Sequence, residues 1–136
     1  MNRNDFRILI AEDEPGVRKL YEKAFRQEGY EVVLASSGGE LLAELEENTF
    51  DILITDMKLE GMSALEALPV VRQKYPNLPI VVVSGHYVNM MEEFGQKGFA
   101  VDLFFNKPLS LMELKKAVRR ILGLPVTETS NDNISS

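Results

Sequence analysis

The chain has 136 residues, 45% of them hydrophobic and 26% charged, with no cysteine. That is enough for one domain with a full core, and it excludes a disulfide framework, a thiolate metal site and a thiol nucleophile. The formal net charge of −6 leaves no basic face of the kind a duplex binder uses to displace counterions.

The N-terminus, MNRNDFRILIAEDE, lacks the apolar centre of a signal peptide, and no apolar run approaches membrane-spanning length. A cytoplasmic protein is expected, with no membrane and no direct nucleic-acid contact.

Residues 6–11 form the first apolar run, a strand followed at once by Glu12 and Asp13. Pro15 then stands where a first helical residue belongs, and Gly29 where a helix stops. Between them Val17, Leu20, Tyr21, Ala24 and Phe25 keep the i, i+3, i+4 spacing of one helix face. Residues 32–35 read as the second strand. Ser37 with Glu40 is a capping box that opens the second helix. Residues 52–55 are a third strand with no polar face, and it ends on the carboxylate of Asp56.

Ser63 with Glu66 caps the third helix, and Pro69, six residues on, should kink or restart it. Residues 80–83 are the fourth strand, ending in Ser84-Gly85. Residues 86–97 read as a fourth helix weakened near Gly95, in which Met90, Met91 and Phe94 serve packing. Residues 101–105 form the fifth strand and lead into Asn106, Lys107 and Pro108. Ser110 with Glu113 starts the last helix, whose Leu111, Leu114, Val118, Ile121 and Leu122 share a face. Lys115, Lys116, Arg119 and Arg120 read as its solvated side. Residues 1–123 are the domain, and the Ser-, Thr- and Asn-rich segment 124–136 is a flexible tail or a truncated linker.

Five apolar strands alternating with five helices predict an α/β fold, a parallel sheet covered on both sides. Right-handed crossovers favour the flavodoxin-like (βα)5 doubly wound arrangement with strand order 2-1-3-4-5. Strands 1, 3, 4 and 5 are then neighbours, and their carboxyl ends bring Glu12, Asp13, Asp56, Ser84 and Lys107 to one crevice. Three close carboxylates repel one another unless a cation sits among them. An all-oxygen set favours a hard ion, and Mg²⁺ suits a site that also takes a phosphoryl group. Asp56 is the candidate nucleophile. Lys107 would neutralise one phosphoryl oxygen, and the Ser84 hydroxyl would hydrogen-bond another.

The stretches ILIAEDEP, ILITDMKLEGMSALE, IVVVSGH and FFNKP fall in that order, each at a strand end. Together they resemble a bacterial two-component response-regulator receiver domain, over residues 6 to about 122. The resemblance implies that Asp56 is the phosphoacceptor, served by a phosphohistidine on a sensor histidine kinase or a histidine phosphotransfer protein. It implies that Glu12, Asp13, Asp56 and the backbone carbonyl of Lys58 hold Mg²⁺. Ser84 and Phe104 stand at the switch hydroxyl and switch aromatic, and Lys107 at the phosphoryl-binding lysine, followed by a cis peptide to Pro108. A receiver of this kind is a phosphoprotein switch rather than an enzyme with its own substrate. Its output goes to a protein or domain through the face made by helix 4, strand 5 and helix 5.

The sequence departs from the common pattern in having Glu12 for aspartate, Ser84 for threonine and Phe104 for tyrosine. Glu60 replaces a frequent proline and Ser63-Ala64 a frequent Asp-Gly, so a more mobile loop is expected there. Lys58 stands where a dehalogenase-like phosphatase needs a second acid, two residues after the nucleophile. AEDEPG after strand 1 is no glycine-rich phosphate loop. His86, the one histidine, is not read as a phosphohistidine; with the Lys58 side chain it overhangs the crevice and bears on water access. The remaining alternative is a receiver-like interaction scaffold that works without phosphorylation.

Overall fold

A computed structural model describes residues 5–85, 101–107 and 110–126. The expected fourth helix with His86, Met90, Met91 and Phe94, the peptide to Pro108, and residues beyond 126 lie outside the described residues. The elements run β1 (Arg7–Ala11), α1 (Pro15–Gln27), β2 (Glu31–Ala35), α2 (Gly38–Glu47), β3 (Ile52–Asp56), α3 (Ala64–Lys74), β4 (Ile80–Ser84), β5 (Leu103–Asn106) and a C-terminal helix (Leu111–Ile121). The strands form one sheet in the order β2-β1-β3-β4-β5, with every pairing parallel. This is the doubly wound flavodoxin-like topology that the alternation predicts. Among the described residues no helix is long and apolar enough to cross a membrane.

Successive strand residues face opposite sides of the sheet, so the apolar runs supply two cores. Leu9, Leu53, Ile80 and Val82 pack with Leu41 of α2 and Leu68 of α3. Ile8, Ile10, Ile52, Ile54, Val81 and Val83 pack with Phe25 of α1 and with Leu114 and Val118 of the C-terminal helix. Each such side chain, fully buried, contributes about 1.5–3 kcal/mol. The edge strands β2 and β5 are less enclosed, whereas every residue of β4 is buried.

Helix ends follow the local chemistry closely. Gly29, at φ 97°, lets its own N–H reach Arg26 O and that of Tyr30 reach Phe25 O, which closes α1 in a Schellman turn. Gly123 and Leu124 close the C-terminal helix in the same way on Arg120 and Arg119. Leu124 also packs on the core.

Four expectations need correction. Leu20, assigned to the buried stripe of α1, is half exposed because it lies at the stripe's margin. Pro69 does not restart α3, which runs through it without the hydrogen bond that the missing N–H would have made. Glu40 does not close its capping box on Ser37; its carboxylate accepts from the N–H and hydroxyl of Ser36 at 2.6 and 2.8 Å, although Ser37 Oγ does accept from Glu40 N–H. Finally, the basic side of the C-terminal helix is only partly solvated. Arg119 donates to Glu28 Oε1 at the end of α1, and Lys115 Nζ lies 3.9 Å from Glu28 Oε2.

Candidate functional site

Register decides what meets at the carboxyl edge. Asp56 is level with Val83, and Ser84 with Asn106, so the residues just past each strand converge. Glu12 follows β1 and still pairs with β2, its N–H donating to Ala35 O at 3.0 Å. Its side chain is buried. Oε2 accepts from the Glu14 N–H at 3.1 Å, while Oε1 has no hydrogen-bond partner and lies 3.5 Å from Lys107 Nζ. Asp13, next in the chain, is exposed.

Asp56 is fixed from both sides. Its carbonyl accepts from the Thr55 hydroxyl at 2.9 Å, and the next N–H, of Met57, donates to Val83 O at 3.0 Å. Lys107 is tied to the end of β4, its N–H donating to the carbonyl of buried Ser84 at 2.8 Å. From there Nζ reaches Asp56 Oδ2 at 3.0 Å. One carboxylate oxygen from each of Glu12, Asp13 and Asp56 lies within 4.8 Å of the others. Phe104, on β5, is half-buried against the α2–α3 side of the core.

The charges strain one another as this crowding demands. Burial pushes the Glu12 carboxyl above its ordinary range; the Glu14 N–H opposes this, and the charge of Asp56 adds to it. For Lys107 burial works against the ammonium, but the hydrogen bond and charge of Asp56, then the charge of Glu12, hold it above its usual value. Tyr21 of α1 is a group that the sequence pattern assigned only to packing. It is buried, and burial raises its hydroxyl pKa, while Lys107, Glu12 and Asp56 all act on it electrostatically. A phenol in an otherwise apolar stripe was the available signal.

The loop after β3 is held rather than loose. Met57 and Leu59 are buried, Ala64 N–H donates to Met57 O at 2.9 Å, and Gly38 N–H donates to Glu60 O at 3.3 Å. Ser37 and Glu60 form a parallel bridge. Glu60 thus docks onto the start of α2, and Ala64 closes the loop back on Met57. Lys58 lies in this loop with its side chain in solvent.

Three carboxylates, one with a buried oxygen lacking a hydrogen-bond donor, and among the described residues no softer ligand grouped with them, make a donor set that fits a hard divalent cation. This acidic cluster, faced by Lys107, sits at the carboxyl edge of a doubly wound sheet, where such folds bind their ligands. The chain belongs to the response regulator receiver domain family, whose model matches residues 8–119, and it is therefore a receiver domain of two-component signalling.

Among its relatives is the sporulation initiation phosphotransferase F of Bacillus subtilis, 29% identical over 119 residues, covering 87% of this chain and 94% of that protein. The DNA-binding transcriptional regulator NtrC of Bradyrhizobium is 30% identical over 124 residues, or 91% of this chain. This chain spans only 26% of that relative's length. The response regulator TrrA of Thermotoga maritima, solved in complex with Mg²⁺-BeF, superposes with a TM-score of 0.77 at 28% identity, covering 85% of this chain and 98% of that one. A CheY-like receiver from Methanospirillum hungatei gives 0.80 at 27% identity, covering 87% and 94%.

Proposed function

We propose that this receiver is a phosphorylation-driven switch whose phosphoacceptor is Asp56. The donor is a phosphohistidine on a sensor histidine kinase or a histidine phosphotransfer protein. The observation that carries the reading is Lys107 Nζ between Asp56 and Glu12, at 3.0 and 3.5 Å. It puts a cation against the carboxylate oxygen that must meet an anionic phosphoryl group. An oxygen of Asp56 attacks phosphorus, the P–N bond breaks, and its electron pair returns to the imidazole, which keeps or takes up a proton. The product is an acyl phosphate.

Glu12, Asp13, Asp56 and the Lys58 carbonyl are the groups assigned to hold Mg²⁺, which when bound supplies positive charge for the phosphoryl oxygens. The chain's own residues do the rest. β3 holds Asp56 still, Lys107 moves its ammonium from carboxylate to phosphoryl oxygen, and Ser84 turns its hydroxyl towards another. Phe104 follows Ser84, which alters the face built from strand 5 and its flanking helices, and that face binds an output protein or domain. The NtrC relative, a DNA-binding regulator, suits a receiver that controls such an output in a cytoplasmic pathway.

Amide shifts recorded with Mg²⁺ and beryllofluoride test the switch. The reading expects movement at Asp56, Ser84, Phe104 and Lys107 together. Shifts confined to Asp56 and the acidic loop, with Phe104 unmoved, would sink the switch and leave a scaffold that works without phosphorylation.

A further inference from the structure

Arg18 stands one turn into α1, where Pro15 is the first residue. It is an odd place for a cation. The N-terminus of a helix carries partial positive charge and prefers acids, yet α1 has no acid in its first turn and no side-chain cap. A residue that breaks a local rule is often employed elsewhere. The Arg18 guanidinium folds back over the β1–α1 loop, and Nη1 donates to Glu12 O at 2.9 Å, with Asp13 O at 3.4 Å. Its own N–H closes the first helical bond on Glu14 O at 2.9 Å. The stretch 12–14 is thus gripped from the helix side by Arg18 and from the sheet side by the Glu12–Ala35 hydrogen bond.

Glu12 is also braced by burial, by the Glu14 N–H and by Lys107. Asp13 is exposed, and its backbone sets the Cα–Cβ direction from which its carboxylate starts. We propose that Arg18 is a positioning residue: it fixes the peptide carbonyls of Glu12 and Asp13 so that the Asp13 carboxylate is presented to the cation. This rests on the Mg²⁺-dependent reading above. Groups that orient metal ligands from outside typically change metal affinity 10- to 100-fold when removed. A guanidinium beside a cation site also repels the cation, so positioning and charge predict opposite signs.

That opposition makes the test decisive. Mg²⁺ affinity is measured by titration calorimetry at 25 °C on the wild type, Arg18→Met and Arg18→Lys, with Tm recorded in the absence of metal. Arg18→Met, of similar bulk but without donors, is expected to bind Mg²⁺ about tenfold more weakly. Arg18→Lys, which keeps a donor and the charge, is expected to recover most of that loss. Arg18→Met binding as tightly as wild type, or more tightly, overturns the proposal. So does an equal loss in both variants that merely tracks a lower Tm, because that is a structural role. Wild type that binds no Mg²⁺ overturns the underlying reading instead, a result that the variants alone cannot produce.

Discussion

Lys107 Nζ reaches Asp56 Oδ2 at 3.0 Å across the full width of β4. It can do so because its own N–H is anchored on Ser84 O. The ammonium partly neutralises two carboxylates, one almost fully enclosed and one mostly so, while itself keeping 29% of its side-chain exposure. Removing one partner of a fully buried pair costs about 3–5 kcal/mol, and solvent at Lys107 lowers this to about 1–2 kcal/mol. Lys107→Ala is therefore expected to lower Tm without divalent cations and to regain most of the loss when Mg²⁺ is added. Thermal unfolding with and without Mg²⁺ checks it, and a loss that Mg²⁺ leaves untouched would contradict the shared role of the two cations.

Gly38 ties α2 to the loop carrying Lys58. A Cβ there would lie 2.7 Å from Met62 Cβ and 3.0 Å from Met62 O. Backbone cannot yield cheaply, so the helix-propensity gain of alanine, about 1 kcal/mol, is outweighed by overpacking of about 1–3 kcal/mol. Gly38→Ala should lower stability and also weaken Mg²⁺ binding by displacing residues 57–62. A variant as stable as wild type with unchanged affinity would show that the contact with α2 does not hold the loop.

Glu40 gives a pH signature away from the crevice. Its carboxyl is held below the ordinary value of 4.5 by the Ser36 N–H first, then by the Ser36 hydroxyl. A depressed folded-state pKa contributes stability above the unfolded value, and that contribution is lost as pH falls through the folded one. Glu40→Ala should therefore show a Tm deficit at pH 7 that shrinks as pH falls below 4.5. A deficit constant from pH 7 to pH 3 would mean that the ionised carboxylate is not what the Ser36 turn uses.

The sheet was legible because each buried strand declares itself as an apolar run, and parallel order forces the residues after strands 1, 3, 4 and 5 together. The acids and Lys107 could thus be placed near one another before any distance was known. What was not legible lies in tertiary detail. Glu28 and Arg119 are 91 residues apart, and no local pattern pairs them. No sequence pattern ties Arg18 to the Glu12 carbonyl that its guanidinium meets. Leu20 fits the helical period yet is half exposed, and Tyr21 fits the core while its phenol also feels the charges of Lys107, Glu12 and Asp56. Glu40 has the spacing of a capping box, and only the path of Ser36 turns it aside.

The central claim is that Asp56 takes the phosphoryl group with Mg²⁺ beside it. Intact mass after incubation with acetyl phosphate tests this most directly, on wild type and Asp56→Asn, each with Mg²⁺ and with a chelator. One phosphoryl adduct is predicted on wild type, dependent on Mg²⁺, removed by hydroxylamine and absent from the folded Asp56→Asn protein. An adduct of equal yield on Asp56→Asn, or none on wild type under any of these conditions, would contradict it.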